Sequence, residues 1–306
     1  MKKQNCAILR AVPLLLTSLL TFLLGMAQAQ TNQGPCESPT TGFEGPSTPT
    51  LCSQYEGIVF HITIGANTPF PTSASLPPLP ANPKIKVTGN FNVNTNLNWQ
   101  GATIRIDPGI AINVGSVFTG LGSLTLDNCD LYACTGLWKG ILMTNGTSVK
   151  TFNGTQIEDA EGAIQAIHTQ YVFLDIEHTT FNRNKNGIVL ENTANATNKP
   201  VFIKFSNNFF HCTAALNGTT ETSFAGVKLT DANLFSFFSG VNVFRDQQYG
   251  INAVGISSHI GARGIYLQRI IKDGIYMKEG FLELIDSDFI DCNEKGINIK
   301  PQRLYM

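Results

Sequence analysis

The chain has 306 residues, of which only 14% are charged, against about 25% in an average globular protein. Its 21 basic and 22 acidic residues leave a formal net charge of −1. No basic run is present, which argues against a nucleic-acid partner and against a polybasic membrane patch.

The N-terminus carries Lys2, Lys3 and Arg10, then an apolar run from Leu14 to Met26, then Ala27-Gln28-Ala29. This order predicts a secretory signal peptide over 1–29, cut after Ala29. The apolar core is short for a membrane span of about 20 residues, so no stable span is expected after cleavage. Cys6 precedes the apolar run and Cys36 lies well beyond it, so no lipobox is expected. Cleavage removes three positive charges and leaves 18 basic against 22 acidic residues, a net of −4. The expected location is extracellular or at the cell surface through the general secretory route, with the periplasm as a further option.

Residues 30–83 read as a leader. "TNQGPCESPTTGFEGPSTPT" and "TPFPTSASLPPLPANP" are rich in Pro, Thr and Ser and predict extended coil. Between them "YEGIVFHITIG" (55–65) predicts a strand pair or an N-terminal cap. From residue 84 onward Gly, Asn, Thr, Phe and Ile abound, and helix-forming runs are nearly absent, which predicts an all-β chain.

The later part of the chain repeats. "KGILM" (139–143), "EGAIQ" (161–165), "NGIVL" (186–190), "AGVKL" (225–229), "YGINA" (249–253), "DGIYM" (273–277) and "KGINI" (295–299) share a Gly followed by alternating residues. Their glycines are 22, 25, 39, 24, 24 and 22 residues apart. A second block precedes each glycine, as in "DLYAC", "QIEDA", "TFNRN", "NVFRD" and "DFIDC". A third, as in "SLTLDN", "VFLDIE" and "FLELID", precedes that. A short period of two or three strands suits a solenoid, in which each turn stacks on the last and equivalent strands pair in parallel. The Gly is expected at a corner that needs φ > 0 or a close backbone approach. Ile188, Val227, Ile251, Ile275 and Ile297 are expected to form one internal row.

On these repeats the chain resembles the right-handed parallel β-helix of secreted or surface proteins from bacteria. The expected fold is all-β, a solenoid of about nine coils at 22–25 residues each over 84–306, incomplete at its C-terminus. The stretch 84–136 joins with weaker phase. In this reading the closing segment "DSDFIDCNEKGINIK" (286–300) is one coil among several. Its Asp288, Asp291 and Cys292 match Asn208, His211 and Cys212 in an earlier coil.

Cys134, Cys212 and Cys292 fall about three coils apart, farther than the ~7 Å Cα limit of a disulfide, and read as buried corner residues. Cys36 and Cys52, both in the leader, are the expected bridge, with Cys129–Cys134 a weaker alternative. No Cys-x-x-Cys or His-x-x-x-His spacing occurs, so neither a zinc site nor any cofactor is expected.

Counting two and four residues past each glycine gives the expected outward columns. They read Leu142, Ile164, Val189, Lys228, Asn252, Tyr276, Asn298 and Thr144, Ala166, Glu191, Thr230, Val254, Lys278, Lys300. Glu191 is the single carboxylate in them, whereas glycosidic hydrolysis needs a pair. The resemblance implies a possible polysaccharide lyase or hydrolase, yet the chain carries neither the Asn-Thr-Asp, Asp-Asp and Gly-His-Gly set of polygalacturonase-like hydrolases nor the Arg-rich motifs of pectate lyases. The polar end, with Lys228, Asn252, Tyr266, Tyr276, Lys278, Asn298 and Lys300, is the candidate glycan-binding face. Insertions at 192–200 and 213–223 leave one flank and could meet. The uncovered last coil could support self-association.

The favoured expectation is an exported, non-catalytic structural or binding element, with polysaccharide or cell-surface components as partners. The alternative is a carbohydrate-active enzyme or a glycan-binding module.

Overall fold

The computed structural model describes residues 50–65, 78–115, 122–169, 171–193, 202–236 and 240–300. The expected signal peptide, Cys36, most of the leader and the 194–200 insertion lie outside them. No described helix is long and apolar enough to cross a membrane.

Strands account for almost all the regular structure, and every pairing between them is parallel. One sheet has ten strands: β1 (Ile62–Ile64), β2 (Lys84–Val87), β5 (Thr103–Ile106), β8 (Asp130–Tyr132), β11 (Gln156–Glu158), β14 (Thr180–Asn182), β17 (Phe209–His211), β20 (Asn242–Arg245), β23 (Ile265–Ile270) and β26 (Asp288–Cys292). A second has nine: β3 (Phe91–Val93), β6 (Ala111–Val114), β9 (Gly140–Met143), β12 (Ile164–Ile167), β15 (Asn186–Glu191), β18 (Ala225–Thr230), β21 (Tyr249–Val254), β24 (Asp273–Lys278) and β27 (Lys295–Lys300). The third side is a five-stranded sheet of β4 (Asn96–Gln100), β7 (Ser123–Asp127), β10 (Ser148–Phe152), β13 (Phe173–Glu177) and β16 (Phe202–Ser206). It is followed by a three-stranded sheet of β19 (Asn233–Ser236), β22 (His259–Arg263) and β25 (Phe281–Ile285). The chain visits the three sides in turn, which makes a parallel β-solenoid of about nine coils. The region 84–136 stacks in full register with the rest.

Alternation within strands explains the core. "KIKV" in β2 and "NLNWQ" in β4 put every second residue inside. Register then aligns these residues into rows. Ile141, Ile164, Ile188, Val227, Ile251 and Ile275 are mutually paired and all 0% exposed. On the ten-stranded side the row reads Ile85, Ile104, Leu131, Ile157, Phe181, Phe210, Phe244, Leu267, Phe289. Each Ile or Phe so buried contributes about 1.5–3 kcal/mol. The row ends at Ile297, 39% exposed on the last described coil.

Of the repeat glycines, Gly140 has the expected positive φ, 108°, while others meet only the expectation of close approach. Gly187, Gly226, Gly250 and Gly274 lie inside β15, β18, β21 and β24, without positive φ. Close approach explains them. A Cβ on Gly226 would stand 2.3 Å from Phe244 Cδ1, and one on Gly187 would stand 2.6 Å from Phe210 Cδ1. The glycine column thus makes room for the aromatic row opposite. Gly162 is one residue out of phase: Ile164, not Ala163, pairs with Ile141 and Ile188. Ile164 and Ala166 therefore face inward, and Gln165 and Ile167 take the outward places.

The corners use other residues. Asn82, Asn128, Asn153, His178, Asn207 and Asp286 turn the chain into the ten-stranded sheet with φ between 46° and 56°. Asp159, Arg183, Asp246, Arg269 and Asp291 turn it out again with φ between 51° and 60°. Asn and Asp tolerate this left-handed region better than most residues. One or two positions past the first corner, polar side chains satisfy backbone groups between coils. Thr155 Oγ1 accepts from Cys129 N, Asn208 Oδ1 from Thr179 N, and Asn242 Oδ1 from Asn208 N. Buried backbone polarity is met by this ladder.

Two further differences concern the ends of the reading. "YEGIVFHITIG" yields one strand, β1, which pairs with β2 and starts the ten-stranded sheet. Asp288 pairs with Tyr266 in the column of Phe209 and Asp130, so its counterpart is Phe209, not Asn208.

Candidate functional site

The outer face of the nine-stranded sheet gathers most of the expected glycan-binding residues. Lys228, Asn252, Tyr276 and Asn298 pair in one column, one per coil, and Thr230, Val254, Lys278 and Lys300 form the next. Parallel stacking sets a rise of about 4.8 Å between successive members. Tyr266 does not join them. It lies on β23 in the ten-stranded sheet, because its block precedes the glycine block by one side of the coil.

Three residues complete this face that the sequence reading passed over. Tyr249 packs against Tyr276 with ring centroids 5.8 Å apart. Lys272 Nζ stands 5.4 Å over the Tyr249 ring, and Lys300 Nζ 5.4 Å over the Tyr276 ring. Asp273, 2% exposed, accepts from Asn298 Nδ2 at 3.0 Å through Oδ2, while its Oδ1 is buried without a partner. Burial, helped by the nearby Asp273 carboxylate, raises the pKa of Tyr249. The missed signal was the residue before each glycine: Tyr249 and Asp273 both hold that place. Glu191 lies two coils before Asn252 on the neighbouring column and stands 3.9 Å from His168.

A second cluster sits on the ten-stranded sheet, under a strap of residues 50–58. The strap contains a helical turn, α1 (Leu51–Gln54), capped by Thr50, whose side chain accepts from Ser53 N. Three contacts fasten it. Cys52 is bonded to Cys134, 82 residues away. Leu51 N donates to Glu158 Oε2 at 2.9 Å. Tyr55 donates its hydroxyl to Asp130 and stacks on Tyr132, with ring centroids 5.7 Å apart. The expected Cys36–Cys52 bridge is replaced by this one, because the strap lies on the outer side of β8 and brings Cys52 to Cys134. Cys134 is therefore not an unbonded corner residue, whereas Cys129 and Cys212 are free thiols and, like Cys292, buried. The 213–223 insertion folds back on the same side, where Asn217 Nδ2 donates to Ala133 O.

Beneath the strap, Glu158, Asp159 and Arg183 are 3%, 0% and 5% exposed. Arg183 donates to Asp159 at 2.6 Å and to Glu158 at 3.4 Å, and Asn182 donates to Glu158 at 2.8 Å. Burial pushes Asp159 up to about 8 against the opposing pull of Arg183, with Glu158 adding to the rise. Glu158 is also raised by burial, but three donors hold its charged form. One guanidinium thus faces two carboxylates, both raised by burial, and Asp159, with Oδ1 unpartnered, keeps its proton up to about 8.

This proton sets a pH dependence. Unfolded, Asp159 ionises near its ordinary value of 3.8; folded, it holds its proton to about 8. Stability from this group is full below the unfolded value and falls as pH rises through about 8. His211, lowered to about 4 by burial, acts in the opposite sense below its ordinary value of 6.5. Between pH 6.5 and 8 the Asp159 effect stands alone of the two. Urea unfolding midpoints of the wild type are expected to fall across that window, and those of Asp159→Asn to stay flat. A wild-type midpoint that rises there would contradict the assignment.

The fold and its two built faces define the class: a parallel β-solenoid with a polar, tyrosine-bearing ladder on one side and a strapped ionic cluster on another. Set against protein-family models, curated proteins and solved structures, the chain matches none.

Proposed function

We propose that the chain is an exported, non-catalytic β-solenoid that serves as an extracellular or cell-surface structural and binding element, and that it takes an extended glycan along the nine-stranded face. The observation that carries this reading is the in-register ladder of Lys228, Asn252, Tyr276 and Asn298 beside the paired rings of Tyr249 and Tyr276. A polymer with a regular repeat meets like groups at a regular rise. Tyrosine rings offer sugars an apolar face, and amides and ammonium groups offer hydrogen bonds. The adjacent acids Glu158 and Asp159 do not supply a hydrolytic pair on this face. They are spent on Arg183 and on the strap.

The test is a panel of neutral and uronate polysaccharides, followed by binding, by reducing ends and by absorbance at 235 nm. Saturable binding without turnover is expected, weakened about tenfold by Tyr276→Ala, a loss of about 1.4 kcal/mol. Turnover that survives in Tyr276→Ala but disappears in Glu191→Gln would replace this reading with the carbohydrate-active enzyme.

A further inference from the structure

The strap does not lie flush on the sheet. Between them is a cavity of about 470 Å³, whose walls include Tyr55, the Cys52–Cys134 bridge, Arg105, Tyr132, Arg183 and Asn217. That volume lies within the range of small-molecule sites, roughly 300–1,000 Å³.

Three polar groups on its walls lack partners, and all three can donate. The hydroxyl of Tyr132, a residue 1% exposed, has no hydrogen-bond partner. Nε of Arg183 has none either, although another nitrogen of the same guanidinium holds Glu158 and Asp159. Arg105 makes no ion pair among the described residues. Its charge nevertheless reaches Tyr132: burial pushes that phenol up to about 12, and Arg105 pulls the other way.

Two of the buried acceptors nearby are already engaged, while Glu56, exposed on the strap, lines the cavity without an ion pair among the described residues. Asp130 accepts from Tyr55, and Glu158 accepts from Leu51, Asn182 and Arg183. Buried donors without acceptors are costly, at about 1–3 kcal/mol each. The buried donors of this cavity therefore lack an acceptor, and Arg105 is the cation on its wall without an ion pair, set against the exposed Glu56 and the Asp130 carboxylate that also acts on Tyr132.

We propose that the strapped cavity binds a small oxyanion, a carboxylate or phosphate group, with Arg105 as counter-charge and Tyr132 and Arg183 Nε as hydrogen-bond donors. The site is separate from the tyrosine ladder and does not depend on it. Its base is rigid sheet, and its outer wall is a segment held by a covalent bond, so the donors are positioned before the ligand arrives. Charge-assisted hydrogen bonds of this kind are about twice as strong as neutral ones.

Calorimetric titration of the full chain, disulfide intact, with inorganic phosphate and with D-glucuronate tests the site, with D-glucose as the neutral control. One-site binding of at least one anion, and none of glucose, is expected. The anion that binds tells the phosphate source from the carboxylate source. Arg105→Gln should weaken binding about tenfold, a loss of about 1.4 kcal/mol. Tyr132→Phe should weaken it severalfold without lowering the unfolding midpoint, because its hydroxyl meets nothing in the free protein. Tyr276→Ala should leave it unchanged. Failure of both anions to bind, or binding undiminished in both Arg105→Gln and Tyr132→Phe, would overturn the proposal. So would a Tyr132→Phe variant that unfolds more easily but binds as before.

Discussion

Arg183→Ala is expected to lower the unfolding free energy by about 3–5 kcal/mol, the usual cost of stripping the partner from buried charge. Arg183 is the cation within reach of both Glu158 and Asp159, whose side chains are 3% and 0% exposed. Without it, Glu158 keeps only Leu51 N and Asn182, and Asp159 keeps no side-chain donor. The loss also reaches the strap, because the Glu158 oxygen that accepts from Leu51 also faces Arg183. Denaturant unfolding of the oxidised protein measures the effect. A change below about 1 kcal/mol would mean that the cluster is solvated in solution and that the strap is not closed over it.

Phe244→Ala is expected to cost about 3–5 kcal/mol, as for large-to-small changes in a packed core. Phe244 is 0% exposed and stacks on Phe210 at 4.7 Å, which stacks on Phe181 at 4.5 Å. Its partner across the interior is a missing side chain. The three atoms nearest a Cβ on Gly226 belong to the Phe244 ring and the end of Gln247. Gly226→Ala alone should therefore overpack the core, at about 1–3 kcal/mol. In the Phe244→Ala background the added methyl enters vacated space and should cost much less. Additive costs for the two changes would show that glycine column and aromatic row do not face each other.

Much of this arrangement was legible in the residues. Rows such as Ile188, Val227, Ile251 and Ile275 recur because every coil needs the same inward apolar residue, so periodicity reports the core directly. The phase slip at Gly162 was hidden because one added residue, Ala163, changes no composition and leaves an apolar residue on either count. Gly187, Gly226, Gly250 and Gly274 were placed at corners because a small residue satisfies a left-handed turn and a crowded interior equally well. The neighbouring Phe row, which distinguishes the two, lies a side of the coil away in sequence. The left-handed corners fell to other glycines, such as Gly101, Gly255 and Gly264, and to Asn, Asp, His and Arg, which look like ordinary loop polarity.

The site was legible where it follows the repeat and not where it breaks it. Lys228, Asn252, Tyr276 and Asn298 share a register position, so counting from glycine found them. Tyr266 was misassigned by proximity in sequence to another side of the coil. The ionic cluster was hidden inside "QIEDA" and "TFNRN", where Glu158, Asp159 and Arg183 read as solvated corner residues. Their burial is imposed by a segment about 100 residues away. The trace available was two adjacent acids one coil from an Arg.

The most direct test of the whole arrangement is distance against coil number. Spin labels at Gln156→Cys and Asp288→Cys stand five coils apart in one column, and labels at Lys84→Cys and Asp288→Cys stand eight apart. At about 4.8 Å per coil the expected separations are about 24 and 38 Å. The coil from Phe209 to Val243 should add the same rise as its neighbours despite its extra residues. Separations that fail to grow with coil number, or that follow residue number instead, would contradict the stacked solenoid on which both candidate sites rest.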